Sequence, residues 1–231
     1  YIDSVPGGGG HPIGYDFGRS QFFGEPSYNY RGTQRDTVSL FFDHDFDNGF
    51  SIASTARYSS TDSDYGYAYI ARSPAPGSSI AGRSFFGNDS GADVFVGDVH
   101  GLYETTFENI KSRTLFGFEY RDASGDNDTL FGAAPSIDIR NPIYTGGPSS
   151  VPLLSSQRTD QRTRALYAQE EPTFFDRLIA TAGIRNDWLD LEQTNKLTDV
   201  TLSDDLSETT GRFGLTYLVT NEFAVFGSYS E

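Results

Sequence analysis

The stretch Thr37-Val38-Ser39-Leu40-Phe41-Phe42-Asp43-His44-Asp45-Phe46, then Asp47-Asn48-Gly49, then Phe50-Ser51-Ile52-Ala53-Ser54-Thr55-Ala56-Arg57-Tyr58-Ser59, decides the fold. In its first part Val38, Leu40, Phe42 and Phe46 fall on one side of a period of two. Thr37, Ser39, Asp43 and Asp45 fall on the other, with Phe41 as the exception. In its last part Phe50, Ile52, Ala56 and Tyr58 alternate with Ser51, Thr55, Arg57 and Ser59. Alternation at every second residue is the mark of a strand with one apolar face. Asp47-Asn48-Gly49 supplies the residues that a tight hairpin turn between two such strands needs.

Outward from this hairpin the pattern recurs three times. Val94 to Phe107 and Thr114 to Arg121 flank a turn near Asn109-Ile110-Lys111. Ala165 to Glu171 and Leu178 to Asp190 flank Pro172 to Asp176, and Arg212 to Val219 and Phe223 to Tyr229 flank Thr220-Asn221-Glu222. This predicts about eight strands, with the facing of Leu166 to Gln169 and of Ala224 to Phe226 left open. Polar stretches separate the hairpins: Ala71 to Ala92, Ala123 to Gln161 and Glu192 to Glu208 are read as long loops. A strict alternation of short and long links is the rule of an up-and-down membrane barrel, with short periplasmic turns and long outer loops, whereas a β-sandwich uses Greek-key links.

Composition agrees. Aromatics make up 15% of the chain, against one Trp and 25 Gly, as expected of many strands joined by turns. Phe46, Phe50, Phe107, Phe174, Phe175, Tyr217 and Phe223 collect at the short-turn ends; Tyr58, Tyr120 and Trp188 lie toward the other ends. Two such belts suit the two interfaces of a bilayer. No apolar run approaches the roughly 18 residues of a spanning helix, so a membrane role must come through strands. A net charge of −15 with scattered Lys and Arg argues against nucleic acid as a partner. Without cysteine there is no disulfide, thiolate metal site or catalytic thiol. The chain starts at Tyr1 and has no Met, which is read as an excised or mature segment.

Several words along the chain resemble, in family order, the barrel of TonB-dependent siderophore receptors of the ferrichrome type. They are Phe23-Gly24-Glu25-Pro26, Leu130-Phe131-Gly132 leading to Asn141-Pro142, Gln161-Arg162-Thr163 with Tyr167-Ala168-Gln169-Glu170, Gly183-Ile184-Arg185-Asn186-Asp187-Trp188, Gly211-Arg212-Phe213-Gly214-Leu215-Thr216-Tyr217 and Ser228-Tyr229-Ser230-Glu231. The resemblance covers essentially the whole chain. It implies an all-β, antiparallel transmembrane barrel fragment, with residues 1–231 part of one barrel domain of about 22 strands. A plug domain and the remaining strands are expected to lie outside this chain. It further implies a bacterial outer-membrane location, a ferric siderophore as ligand, TonB as partner through the plug, contact with outer-membrane lipid, no cofactor of its own because iron travels in the siderophore, and no enzymatic activity.

Within that resemblance Asp64-Tyr65-Gly66-Tyr67-Ala68-Tyr69 is similar to a Tyr-x-Tyr element above the plug, which makes Tyr65, Tyr67 and Tyr69 candidate siderophore contacts. Phe131 is similar to a family aromatic that touches the ligand from the next long loop. The ordinary readings are interface-belt tyrosines and a loop phenylalanine packed on its own loop. Tyr1 to Pro6 retains no Trp where the family has a Tyr-x-Trp element. Arg57, Glu119, Arg121, Arg185, Asp187 and Arg212 fall on the polar sides of their strands and are expected to face the lumen, since an Arg facing lipid at the midplane costs roughly 2–4 kcal/mol. Gly117, on the same side as Glu119, is expected to tolerate a serine.

Other patterns carry less. Asp43, Asp45 and Asp47 imitate a calcium loop, but Gly49 comes one position late and Ser54 stands where a Glu is needed, so a hairpin turn explains them. His11, His44 and His100 have no ligand spacing, and Gly7 to Gly10 lack the strand-to-helix context of a phosphate cradle. The competing readings are a small self-contained outer-membrane barrel and a soluble carbohydrate-binding β-sandwich with tyrosine platforms.

Overall fold

A computed structural model describes residues 21–231. Tyr1 to Pro6, Gly7 to Gly10 and His11 lie outside the described residues. A short 3-10 turn, Pro26–Tyr28, precedes eight strands: β1 Tyr30–Asp45, β2 Phe50–Arg72, β3 Ile80–Phe107, β4 Ile110–Asp138, β5 Leu153–Phe174, β6 Leu178–Asn195, β7 Val200–Leu218 and β8 Ala224–Ser230. They form one sheet in the order β1 to β8, every pair antiparallel. Among the described residues this is a meander in a single layer, without the second sheet that a sandwich requires.

The hairpin at Asp47-Asn48-Gly49 is built as its residues suggest. Asp47 has φ 58 and Gly49 φ 84. The Asp47 amide donates to Asp45 Oδ1 and the Phe50 amide to Asn48 Oδ1, each at 3.0 Å, so the acidic run serves the turn. A Cβ on Gly49 would lie 2.2 Å from the Glu104 carbonyl oxygen, which adds a steric demand to the backbone one.

The three polar stretches are not long loops. The ladders continue through most of them, so that β3 runs 28 residues and β4 29. Ser59 to Ile70 pairs with Val94 to Arg83, and Val94 to Arg83 pairs in turn with Ala123 to Ala134. Only residues 73–79, 139–152 and 196–199 remain as links, the last as short as the turns at the other end. Alternation disappeared from these stretches because both faces of a strand above the membrane meet water, while backbone pairing continues regardless of which side chains it carries.

Directly opposed residues in an antiparallel ladder share a face. One face carries Val38, Leu40 and Phe42 of β1, opposite Tyr58, Ala56 and Ser54 of β2. It continues through Val99 and Phe118 to Leu166, then to Ile184 beyond Ala168, and on to Phe213 beyond Ala182. Leu40, Leu166 and Ile184 are 68%, 54% and 59% exposed, which no water-facing sheet could afford across so broad a band. This is the lipid face, and its rim is aromatic: Phe50 and Tyr103 at the turn end, Tyr58 with Phe95, and Tyr120 and Trp188, at the other. The opposite face is the inner one. The register also resolves the open segments, with Leu166 and Ala168 outward, Tyr167 and Gln169 inward, Val225 outward and Ala224 and Phe226 inward.

Among the described residues one well-buried cluster sits at the top of β2, β3 and β4, where Ile70, Ala81, Ile137 and Ile139 pack with Phe23. Glu25 and Arg83 are buried beside it, their charged atoms 3.5 Å apart. Arg83 donates to the carbonyls of Pro135, Phe23 and Gly24, and Glu25 accepts from the Thr145 amide. Phe23-Gly24-Glu25-Pro26 therefore fastens the segment ahead of β1, and with it the link 139–152, to the sheet.

Candidate functional site

The β1–β2 ladder runs without a slip from Ser51 to Gly66 and the β2–β3 ladder from Phe50 to Ile70, so side chains keep their alternation over the whole of that stretch. Tyr65, Tyr67 and Tyr69 accordingly share the face of Arg57 and Thr55, which is the inner face. They are half-buried, while Gly66 and Ala68 between them and Ile70 beyond turn outward and are buried, Gly66 under the Tyr30 ring and Ala68 and Ile70 beside Gly24 and Phe23.

Register assembles a patch from three strands. Tyr67 stands opposite Phe86 of β3, and Phe86 opposite Phe131 of β4. The Tyr65 and Tyr67 rings are 6.3 Å apart and nearly parallel, Tyr67 and Tyr69 are 5.8 Å apart, and Phe86 lies 6.0 Å from Tyr65 and 5.6 Å from Tyr67. Such spacings are those of offset or tilted aromatic pairs, which hold a broad flat surface without a covalent brace. Phe131 is 39% exposed at the edge of the patch, and its amide donates to the Pro152 carbonyl at 2.9 Å. All four candidate contacts thus sit on one wall.

Sequence reading misses Phe86 because the polar stretch Ala71 to Ala92 reads as a loop. The signal that could have found it is Phe85-Phe86 itself, an apolar pair inside a polar stretch. Phe85 is 3% exposed and turns to the outer face, where it packs edge-on to Tyr28 at 5.0 Å, which leaves Phe86 for the inner one.

An open cleft of about 960 Å³ adjoins the patch, lined by Phe22, Asn29, Arg31, Tyr65 and Tyr67 among others. Arg31 stands opposite Tyr65 across the β1–β2 ladder and contributes a cation beside the phenols. Partial burial, with Tyr65 and Tyr69 adding their own repulsion, raises the Tyr67 phenol above its ordinary pKa. At neutral pH it is a hydroxyl donor, not a phenolate.

Arg57, Glu119, Arg121, Arg185, Asp187 and Arg212 all share the inner face, lower down, between the aromatic rims. Arg185 pairs with Asp187 at 2.8 Å and with Glu119 at 3.3 Å. Arg212 donates to Gln169. The Tyr167 hydroxyl donates to Asp98 Oδ2 at 2.7 Å, and His100 Nδ1 lies 2.8 Å from the other oxygen. Arg57 donates to Ser39 Oγ at 3.1 Å, across the β1–β2 ladder. Gly117 is not the tolerant position expected: a Cβ there would stand 2.4 Å from the Tyr167 ring, which lies across it with its hydroxyl held by Asp98. Among the described residues no group of His, Asp and Glu could hold a metal ion.

A single-layer meander with a lipid face, two aromatic rims, a charged inner face between them and an aromatic wall above defines an outer-membrane β-barrel wall with an aromatic inner surface at one end. Residues 2–231 match the family model described as TonB dependent receptor-like, beta-barrel, and the chain belongs to that family. It is 29% identical over 241 residues to a ferrioxamine B receptor of Salmonella typhimurium, covering 100% of this chain and 34% of the relative. It is 25% identical to the ferrichrome outer membrane transporter/phage receptor of Escherichia coli, over 84% of this chain and 29% of that protein. The chain spans about a third of the length of these curated relatives, which are receptors and transporters and not enzymes. The same fold appears in the ferric-catecholate import receptor Fiu of E. coli, with TM-score 0.73, 17% identity and coverage of 91% of this chain and 37% of that one. The siderophore receptor PiuA of Acinetobacter baumannii gives TM-score 0.75 at 14% identity, covering 90% of this chain and 33% of that one.

Proposed function

We propose that this chain is part of the barrel wall of an outer-membrane receptor that imports ferric siderophores of the hydroxamate, ferrichrome-like type. Energy reaches it from the periplasm through TonB and a plug domain, and iron is cargo inside the ligand, so the wall itself needs no cofactor. Family membership and the names of the sequence relatives support a siderophore as ligand. The observation that carries the reading is the row Tyr67, Phe86 and Phe131, flanked by Tyr65 and Tyr69, on the inner face above the membrane band. Flat rings with hydroxyl donors suit a compact, rigid chelate whose surface is part apolar and part carbonyl or hydroxamate oxygen. The charged groups lower on the same face, with Arg185 and Arg212 foremost, face the lumen that a plug fills.

Loss of one buried aromatic contact costs about 1–3 kcal/mol, or roughly tenfold to hundredfold in affinity. In the full gene product, Tyr67→Ala, Phe86→Ala and Phe131→Ala are each expected to weaken ferrichrome binding by that factor, measured with radioactive iron on outer-membrane vesicles, with barrel assembly unchanged. Trp188→Phe, at the outer rim, should leave affinity as it is. Unchanged binding in all three alanine variants would place the ligand elsewhere.

A further inference from the structure

Charge is distributed above the aromatic rim in a way that solvation alone does not require. From Ser59, Val94, Ala123, Gln161 and Leu191 upward, to Tyr69, Ser84, Ala133, Ser155 and Asn195, no inner-face position of β2 to β6 carries a charge. The outer face of the same stretch is heavily acidic, with Asp62, Asp64, Asp93, Asp126, Asp160 and Glu192 among its members. Arg158 is engaged there with Asp126 and Asp160, and just below it, at and above the rim, Arg162 pairs with Asp122 and Arg164 with Asp190. Both faces are wet at this height, so water offers no reason to sort ionised groups to one side.

The uncharged panel is rich in carboxamides. Tyr65 stands opposite Asn88, and one row below it Ser63, Ser90, Asn127, Gln157 and Asn195 face one another in sequence across five strands. Asn88 Nδ2 donates to Asn127 Oδ1 at 2.9 Å, and Gln193 Nε2 to Gln157 Oε1 at 3.3 Å. These amides touch one another and still present unused donors and acceptors to the lumen, since each can make up to four hydrogen bonds. The panel is continuous with the aromatic patch directly above it. Charges on this face at the same height occur at its flanks, on β1 as Arg31 and Arg35 and on β7 as Asp204.

We propose that this panel, with Asn88, Asn127, Gln157 and Gln193 as its hydrogen-bonding members, is the lower half of the ligand site and selects chelates of zero formal charge over polyanionic ones. The inference rests on the siderophore reading and adds residues and a selection rule to it. Amides match the donors and acceptors of a neutral polyamide or hydroxamate surface in either direction. A polyanion lowered against the same panel exchanges its hydration for neutral dipoles without a counter-charge, which is costly. It also approaches through the field of a chain whose net charge is −15. Arg31 and Arg35 supply positive charge at one flank and Asp204 a negative charge at the other, which leaves less than a trianion needs.

The test uses the full gene product in outer-membrane vesicles and two probes, ferrichrome and a ferric tris-catecholate, which carries three negative charges. Wild type is expected to bind ferrichrome more tightly by about a hundredfold or more. Asn127→Lys with Gln157→Lys should narrow that ratio by about tenfold or more, mainly by strengthening catecholate binding. Ser124→Lys with Ser203→Lys makes the same change in net charge on the outer face and should alter the ratio far less. Equal affinities in wild type, or an equal response to the inner and outer lysine pairs, would overturn the selection rule while leaving a siderophore receptor. Binding of neither probe by wild type would remove the receptor reading and this inference together. Heat-modifiable mobility of each variant reports that the barrel has assembled.

Discussion

The lower and upper halves of the same strands obey opposite rules. Between the aromatic rims the outer face is apolar, with Leu40, Val99, Phe118, Leu166 and Ile184, and the inner face holds the ionised groups, with Arg57, Glu119, Arg121, Arg185, Asp187 and Arg212. Above the rims the ionised groups of β2 to β6 move to the outer face, and the inner face becomes aromatic, hydroxylic and amide. The lower rule follows from solvent, because lipid covers one face and the sole water is inside. Glu170 is the charged exception on the outer face, at the turn-end rim with Ser112 and Thr114 both donating to it at 2.5 Å, and Asn186, opposite Leu166 and accepting from the Thr209 hydroxyl, is a polar one. The upper arrangement has no such cause, and the proposed ligand panel would supply one.

The largest expected effect breaks the one place where the upper half is packed like a protein interior. Removing one partner of a buried ion pair leaves the other charge uncompensated, at about 3–5 kcal/mol. Glu25→Ala or Arg83→Ala should therefore release residues 22–28 and 139–147, seen as loss of hydrogen-exchange protection at the Thr145 amide. An unchanged protection factor would show that the apolar cluster holds these segments without the pair.

A charge scan along the outer face sharpens the comparison next. Phe118→Arg and Leu166→Arg place a guanidinium against lipid and should cost roughly 2–4 kcal/mol of assembly stability. Ser124→Arg on the same face above the rim, and Thr55→Arg on the inner face below it, should cost little. Similar losses at all four sites in a urea titration would deny the lipid boundary drawn between them.

A smaller effect separates two glycines. Gly117→Ala forces Tyr167 out of its place over the backbone and off Asp98, and overpacking of this kind costs about 1–3 kcal/mol. Gly227→Ala meets nothing within 4 Å and should be close to neutral. The thermal midpoints of the two variants decide.

The smallest effect is one of pH. The Ser156 hydroxyl, donating at 2.5 Å, with Lys196 beside it, holds the Asp128 carboxyl below the usual carboxylate range. A depressed folded pKa contributes stability that is present above the unfolded pKa, near 4, and lost as pH falls through the folded value. Since Asp128 is exposed to solvent, the contribution is small and screened. Hydrogen-exchange protection relative to the intrinsic rate at the top of β4, β5 and β6 should fall modestly below about pH 4, and Ser156→Ala should remove that dependence. Loss of protection already at pH 6 would point to another group.

The amino-acid sequence by itself determined the lower half. Alternation in Val38 to Phe42 and in Phe50 to Tyr58, the Asp-Asn-Gly turn and the aromatic rims name strands, hairpins and the lipid side, because lipid on one face and water on the other make side-chain chemistry periodic. Only the tertiary structure decided the upper half. With water on both faces nothing in residues 71–92 or 123–161 marks strand from loop, and the ladder there is carried upward by pairing begun at the turns. That unbroken register, and no local signal, puts Tyr65, Tyr67 and Tyr69 inward, inserts Phe86 between Tyr67 and Phe131, and gathers the amides beneath them. The Glu25 and Arg83 pair likewise joins residues 58 positions apart, whose burial no local pattern could announce.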